Sequence, residues 1–217
     1  MLQLYGHPFS SYTWKALIPL YANDTPFAFR SVDPAEGPEN GAFVAKAHPG
    51  GKFPVLVDGE TIVIEATAIV EYLAVHHPGP APLVPTDAAE AVNARMLDRV
   101  FDNYVMHNMT RVVVAHIVNS ANPDLAEIAS AKDDLRRAYR WLEDWLCGNR
   151  LPPHVSLVTC AAAPSLFYAD WVEPIPDDHP HLKALRAELL ALPAVSRCVE
   201  DARPFRGYFP PGAPDRD

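Results

Sequence analysis

The sequence predicts a small α/β domain of βαβ–ββα order followed by an all-helical domain. Three observations carry this. Strand-like alternation and tight-turn signals are confined to the first third of the chain, four prolines between Pro78 and Pro85 interrupt it, and beyond Asp87 only helical periodicity recurs.

Leu2–Gly6 alternates weakly and runs into Gly6-His7-Pro8, a strand entering a loop. Ser11–Ala22 then places Trp14, Leu17, Ile18 and Tyr21 on one helical face, with Ser10 or Ser11 as N-cap and Asn23-Asp24 as the stop. Pro19 lies inside this helix, removes one hydrogen bond and is expected to kink it. Phe27–Val32 reads as a second strand, and residues 33–51, rich in Pro, Gly and Ala, hold at most a short helix near Ala42–Ala47. Two strands, Pro54–Val57 and Thr61–Ile64, are joined by Asp58-Gly59, a strong hairpin signal. A helix follows from about Glu65, with Ile69, Tyr72 and Leu73 on one face. This order is the thioredoxin-like plan.

The expected domains are 1–77, a Pro-rich linker at 78–86, and an all-helical domain at 87–217. In the second domain, helices are expected over 88–118, 125–147, about 156–170 and 180–199, with Pro210–Asp217 disordered.

Composition narrows the function classes. The chain has 217 residues, 49% of them hydrophobic, and a net charge of −9 with scattered cations. That balance argues against nucleic acid and anionic membranes as partners, while one or two local cations and a helix terminus still suffice for a small anion. No apolar run approaches the ~20 residues of a membrane span, and the first residues lack the basic start and small-residue cleavage site of a leader. Cys147, Cys160 and Cys198 are far apart, with no CxxC and no zinc spacing. Free thiols in a reducing cytoplasm, and no metal, are the expectation.

Three segments carry chemistry. In Lys52-Phe53-Pro54-Val55-Leu56, Pro54 is tolerated as a simple edge-strand residue, but a cis bond there would turn the backbone groups of Phe53 outward, where they can pair with an extended peptide as an added strand does. Lys52 can meet a carboxylate of that ligand; read alone, it is better taken as a solvated surface lysine. Glu65 precedes the helix containing Ala66, Thr67 and Ile69, so an α-amino acid finds a carboxylate for its ammonium and free N–H groups for its own carboxylate. Read alone, Glu65 only stabilises its helix. In Phe9-Ser10-Ser11-Tyr12-Thr13-Trp14-Lys15, a hydroxyl at a helix N-terminus can donate to a thiolate and lower a thiol pKa, or can simply cap the helix. No Gly-x-Ser-x-Gly elbow is present, and no cysteine lies here for disulfide exchange.

From Leu4 to about Phe209 the chain closely resembles the cytosolic glutathione transferases. Gly50-Gly51-Lys52-Phe53-Pro54-Val55-Leu56 resembles the family's Gly-Lys-x-Pro-x-Leu segment, and Glu65 to Leu73 its Glu-Ser-x-Ala-Ile-x-x-Tyr-Leu helix start. Ser10 to Lys15 resembles the serine-type bacterial, zeta and phi branches rather than the cysteine-type omega and beta branches. Val155 to Thr159 sits where the family has a Ser-x-x-Asp capping box.

The resemblance implies glutathione as co-substrate, held by Lys52, Phe53 beside Pro54, Glu65 and Ala66. It implies that Ser10 activates the sulfur, with Ser11 as the competing assignment. A second pocket for a small hydrophobic electrophile, with Tyr12 and, at i, i+3 and i+7 spacing on one helical face, Tyr104, His107 and Arg111 as candidates, a homodimer and a cytoplasmic location are implied as well.

The chain departs from that pattern at two positions of the motifs. Residue 66 is Ala where the family has Ser, a lost hydroxyl worth about 1–2 kcal/mol of binding, and Thr159 replaces the capping Asp. The expected activity is conjugation of the glutathione thiolate to an apolar electrophile. The alternatives are a non-catalytic binding protein with weakened glutathione affinity, favoured by Ala66, and a glutathione-dependent isomerase of maleylacetoacetate type. The last is favoured by the Ser10-Ser11 pair followed by Trp14, although Tyr12 stands where it expects a cysteine.

Overall fold

The computed structural model describes residues 1–217. Its first part contains β1 (Leu2–Gly6), α1 (Ser11–Ala22), β2 (Phe27–Ser31), α2 (Glu39–Ala47), β3 (Val55–Asp58), β4 (Thr61–Ile64) and α3 (Ala66–His76). The sheet order is β2-β1-β3-β4. β1 pairs with β2 in parallel and with β3 antiparallel, and β3 pairs with β4 antiparallel. The parallel pair requires the crossover that α1 supplies. The β3–β4 pair follows from hairpin geometry: Asp58 faces Thr61, and Gly59 turns with φ +59°, which glycine adopts without strain. The thioredoxin-like order read from the sequence is therefore present.

The second part contains α4 (Ala88–Val100), α5 (His107–Val118), α6 (Leu125–Gly148), α7 (Leu157–Val172), α8 (Pro180–Leu190) and α9 (Pro193–Ala202). α4 and α5 are joined by a π-helical turn at Phe101–Met106 rather than by a break. The α7 helix is buried along its whole length, and α1 packs against it through Trp14, whose ring lies 4.8 Å from that of Phe167. The core is continuous across both parts, from Leu4 and Ile69 to Leu135 and Val195. Within residues 78–86, Leu83 is buried and its carbonyl accepts from Leu157 N–H at 2.7 Å, which pins this proline-rich segment to the start of α7.

Several local expectations change. α2 begins at Glu39, earlier than the expected short helix. The 180–199 segment is two helices, because Pro193 cannot continue α8 and instead opens α9. α1 runs unbroken through Pro19, which lies in its C-terminal half. The expected disorder of Pro210–Asp217 is corrected: Phe209 is buried, Asp217 pairs with Arg203 at 2.8 Å and Arg206 at 3.0 Å, and Arg216 pairs with Asp170. Oppositely charged partners, rather than apolar periodicity, hold this stretch. At the start of α7 the cap is Ser156, whose Oγ accepts from Thr159 N–H at 3.4 Å, while the Thr159 hydroxyl donates to His154 O at 3.2 Å. No helix is long and apolar enough to cross a membrane.

Candidate functional site

The β1–α1 loop is fixed by its own polar groups. Ser10 N–H donates to His7 O at 2.9 Å, and Phe9 N–H donates to His7 Nδ1 at 3.1 Å. The Trp14 indole donates to Pro8 O at 2.6 Å. His7 Nε2 lies 3.6 Å from the Asp33 carboxylate. Ser10 is the N-cap of α1 in extended conformation, and its Oγ accepts from Thr13 N–H at 3.3 Å. A capping oxygen uses a lone pair, so its O–H stays free to donate to an anion, next to the unpaired N–H groups of the helix start. Ser11 is the first helical residue, one step further along the same turn.

The opposite wall comes from the loop before β3 and the start of α3. The Phe53–Pro54 bond is cis, Pro54 is buried, and Lys52 and Phe53 face solvent. Gly51 closes a turn with φ +61°, donating its N–H to His48 O at 2.9 Å. Glu65 is the N-cap of α3 in a backbone conformation, φ +70° and ψ 119°, that non-glycine residues rarely adopt. Such a residue costs roughly 1–3 kcal/mol and persists where its surroundings over-determine it. Its carboxylate makes no capping bond and is 74% exposed, with one oxygen 3.3 Å from His48 Nε2. Ala66, the first residue of α3, is buried.

Between these walls and α5 lies a cavity of about 460 Å³. Ser10, Ser11, Tyr12 and Phe53 border it, facing Met109, Val113 and Ile117 of α5 and Tyr168 of α7, and Tyr208, Phe209 and Pro210 complete the rim. Its lining contains no lysine or arginine, and its one imidazole is His7. Burial, with the Asp102 charge behind it, pushes the Tyr12 phenol up to about 12, so it stays protonated through the neutral range.

Tyr12 is thus the one candidate for the second pocket that borders this cavity. Tyr104 instead faces a separate cavity of about 920 Å³ between α4 and α6. His107 and Arg111 border a third, of about 680 Å³, where α5 meets the start of α6. Arg111 is committed to Glu127 and Asp134, at 2.6 Å from each. A helical count through 101–106 passes the π turn, which adds a residue and displaces the face by roughly 100°. The α5 residues that line the cavity beside Ser10 are Met109, Thr110, Val113 and Ile117.

Behind Tyr12 lies a buried charge cluster that the sequence analysis did not identify. Lys15 is fully buried, with its Nζ 2.5 Å from Asp98, 2.7 Å from Asp102 and 2.8 Å from the Thr67 hydroxyl. Arg99 closes the cluster against both aspartates. Burial raises the Asp102 carboxyl above the usual range, and Lys15 opposes that rise. The cluster ties α1 to α3 and α4. One signal was available: Asp98 and Asp102 stand four apart among buried Ala94, Leu97, Phe101 and Val105, acidic groups on an apolar face. No group of three or more His, Cys, Asp or Glu side chains is arranged to hold a metal ion.

Residues 4–81 match the family described as glutathione S-transferase, N-terminal domain. The chain is similar to a probable maleylacetoacetate isomerase of Vibrio cholerae, 27% identical over 94% of this chain and 97% of that protein. In structure it is similar to glutathione transferase F7 of Populus trichocarpa, with a TM-score of 0.80 at 22% identity, covering 93% and 99% of the two chains. It is also similar to a glutathione transferase family member of Pseudomonas fluorescens with bound glutathione, with a TM-score of 0.75 at 23% identity, covering 91% and 98%.

Proposed function

We propose that the protein binds glutathione and transfers its thiolate to a small apolar electrophile; the match of residues 4–81 to the glutathione S-transferase N-terminal domain and the similarity of the whole fold to a glutathione transferase support this reading. In this reading residues 1–77 form the glutathione-binding domain, 78–86 the linker and 87–217 the helical domain. Lys52 takes the glycyl carboxylate, the backbone of Phe53 beside Pro54 pairs with the cysteinyl backbone, and Glu65 takes the γ-glutamyl ammonium. The N–H groups at Ala66 meet the γ-glutamyl carboxylate. Ser10 donates to the sulfur, because its O–H is free while its lone pair accepts from Thr13 N–H; Ser11 is the competing donor.

The observation that carries the electrophile class is the cavity beside Ser10. Its walls are Phe9, Met109, Val113, Ile117 and Tyr168, with neither Lys nor Arg among them. Such a lining desolvates an uncharged aromatic or alkyl electrophile cheaply and a dianion at high cost. A glutathione-dependent isomerisation is the second reading, favoured by the Vibrio cholerae relative. Maleylacetoacetate carries two carboxylates, and this cavity offers them hydroxyls and the His7 imidazole but no lysine or arginine. Parallel assays with an aryl halide and with a cis-enedioic acid separate the two. Conjugation of the first without isomerisation of the second is expected, and isomerisation alone overturns the conjugation reading.

Ala66 bears on a third reading, a binding protein without catalysis. Restoring a hydroxyl there by Ala66→Ser is expected to tighten glutathione by about 1–2 kcal/mol, roughly five- to thirtyfold, by calorimetric titration. No tightening would mean that the ligand carboxylate does not lie at the start of α3. A homodimer in the cytoplasm belongs to the same proposal. Exposed Met96, Tyr104 and Trp141 lining the α4–α6 cavity support a covered face, and sedimentation velocity tests it.

A further inference from the structure

His48 ends α2 and is nearly buried, at 8% exposure. Its two ring nitrogens face the two halves of the candidate ligand site. Nδ1 accepts from Gly50 N–H at 2.9 Å. In the neutral ring this places the proton on Nε2, which lies 3.3 Å from Glu65 Oε1 and donates to it. The first bond anchors the turn that carries Gly51 and Lys52. The second holds one oxygen of a carboxylate that is otherwise 74% exposed, on a residue whose backbone is in a rarely occupied conformation. His48 O also accepts from Gly51 N–H at 2.9 Å, so ring and backbone fix the same turn.

We propose that His48 is a positioning residue, setting the distance between Lys52 and Glu65 so that they meet the two ends of one glutathione molecule. This rests on the glutathione reading above. Glu65 keeps a second oxygen free for the ligand ammonium, and the bond from His48 fixes where that oxygen points. Without it, an exposed glutamate samples several rotamers, and its ordering is charged against binding.

The two bonds can be removed separately. His48→Asn keeps an acceptor where Nδ1 stands but does not reach Glu65. His48→Gln keeps a donor where Nε2 stands but leaves Gly50 N–H without its acceptor. The ligands are S-hexylglutathione and S-hexylcysteinylglycine, which lacks the γ-glutamyl group; the hexyl chain occupies the apolar cavity and keeps the weaker ligand measurable by calorimetry. His48→Asn is expected to weaken S-hexylglutathione about tenfold and leave S-hexylcysteinylglycine unchanged, so that the preference between the two collapses. It raises KM for glutathione and leaves kcat at saturation intact. His48→Gln is expected to weaken both ligands equally and preserve the preference. Equal losses for both ligands in His48→Asn, or none, would overturn the proposal and leave glutathione binding standing. Wild-type protein that binds neither ligand would overturn the glutathione reading, and this proposal with it.

Discussion

Replacing Lys15 by methionine is expected to destabilise the protein by about 3–5 kcal/mol, the usual consequence of removing one partner from a buried ion pair. For a chain of this size that lowers Tm by about 6–20 °C. Asp98 is fully buried and Asp102 nearly so, and each loses a cation at 2.5–2.7 Å. Arg99 remains beside them but is half exposed, which points to the lower part of the range. The penalty carries a pH signature. Burial already raises the Asp102 carboxyl in the folded protein, against the pull of Lys15. A raised folded-state pKa means that the native state binds more protons than the unfolded one, so this contribution is present in acid and is lost as pH rises through the folded pKa. Without Lys15 that rise is larger. Urea unfolding should therefore find a small penalty near about pH 4 and the full one near about pH 7. A penalty independent of pH would mean that the methionine variant fails through packing rather than through uncompensated carboxylates.

Ser10→Ala is expected to reduce kcat/KM at neutral pH by roughly 10–25-fold. A free thiol of pKa ~8.5 is ~3% thiolate at pH 7, and one charge-assisted hydrogen bond of about 1.5–3 kcal/mol lowers it by one to two units. The loss should shrink as pH rises past about 9, where the thiol ionises unaided. Ser10 is also the N-cap of α1, so the same substitution costs about 1 kcal/mol of stability. Ser11→Ala separates the two roles, because Ser11 is not the cap. It should leave both the rate and the stability nearly intact. If Ser11→Ala loses the rate and Ser10→Ala loses only stability, the donor is Ser11.

Most of the first part of the fold was legible because its signals are local. Asp58-Gly59 between two alternating runs defines a hairpin, which the structure contains, and the serine pair before an apolar helical face marks a cap, which the structure assigns to Ser10 rather than Ser11. The split at Pro193 was equally local, and the proline was available to read. What escaped depends on tertiary placement. The face of α5 cannot be counted from Tyr104, because the π turn at 101–106 changes the period without any sequence mark. Lys15 looks like a surface residue until Asp98 of α4 and Asp102 of the π turn are found around it. His48 carries no motif, and its two bonds exist only because the Gly50 turn and the start of α3 are brought to the same ring. The C-terminal stretch has low apolar content, and the arginines that hold Asp217 become neighbours only after folding.

The central claim is that Ser10 and the start of α1 hold glutathione as its thiolate. The direct measurement is the ultraviolet difference spectrum of wild-type protein titrated with glutathione near neutral pH, beside Ser10→Ala. Saturable thiolate absorbance in the wild type, with an apparent pKa one to two units below the free thiol's ~8.5 and restored to about that value in Ser10→Ala, is the predicted result. Binding at millimolar glutathione with no thiolate signal, or the same signal in both proteins, would contradict it.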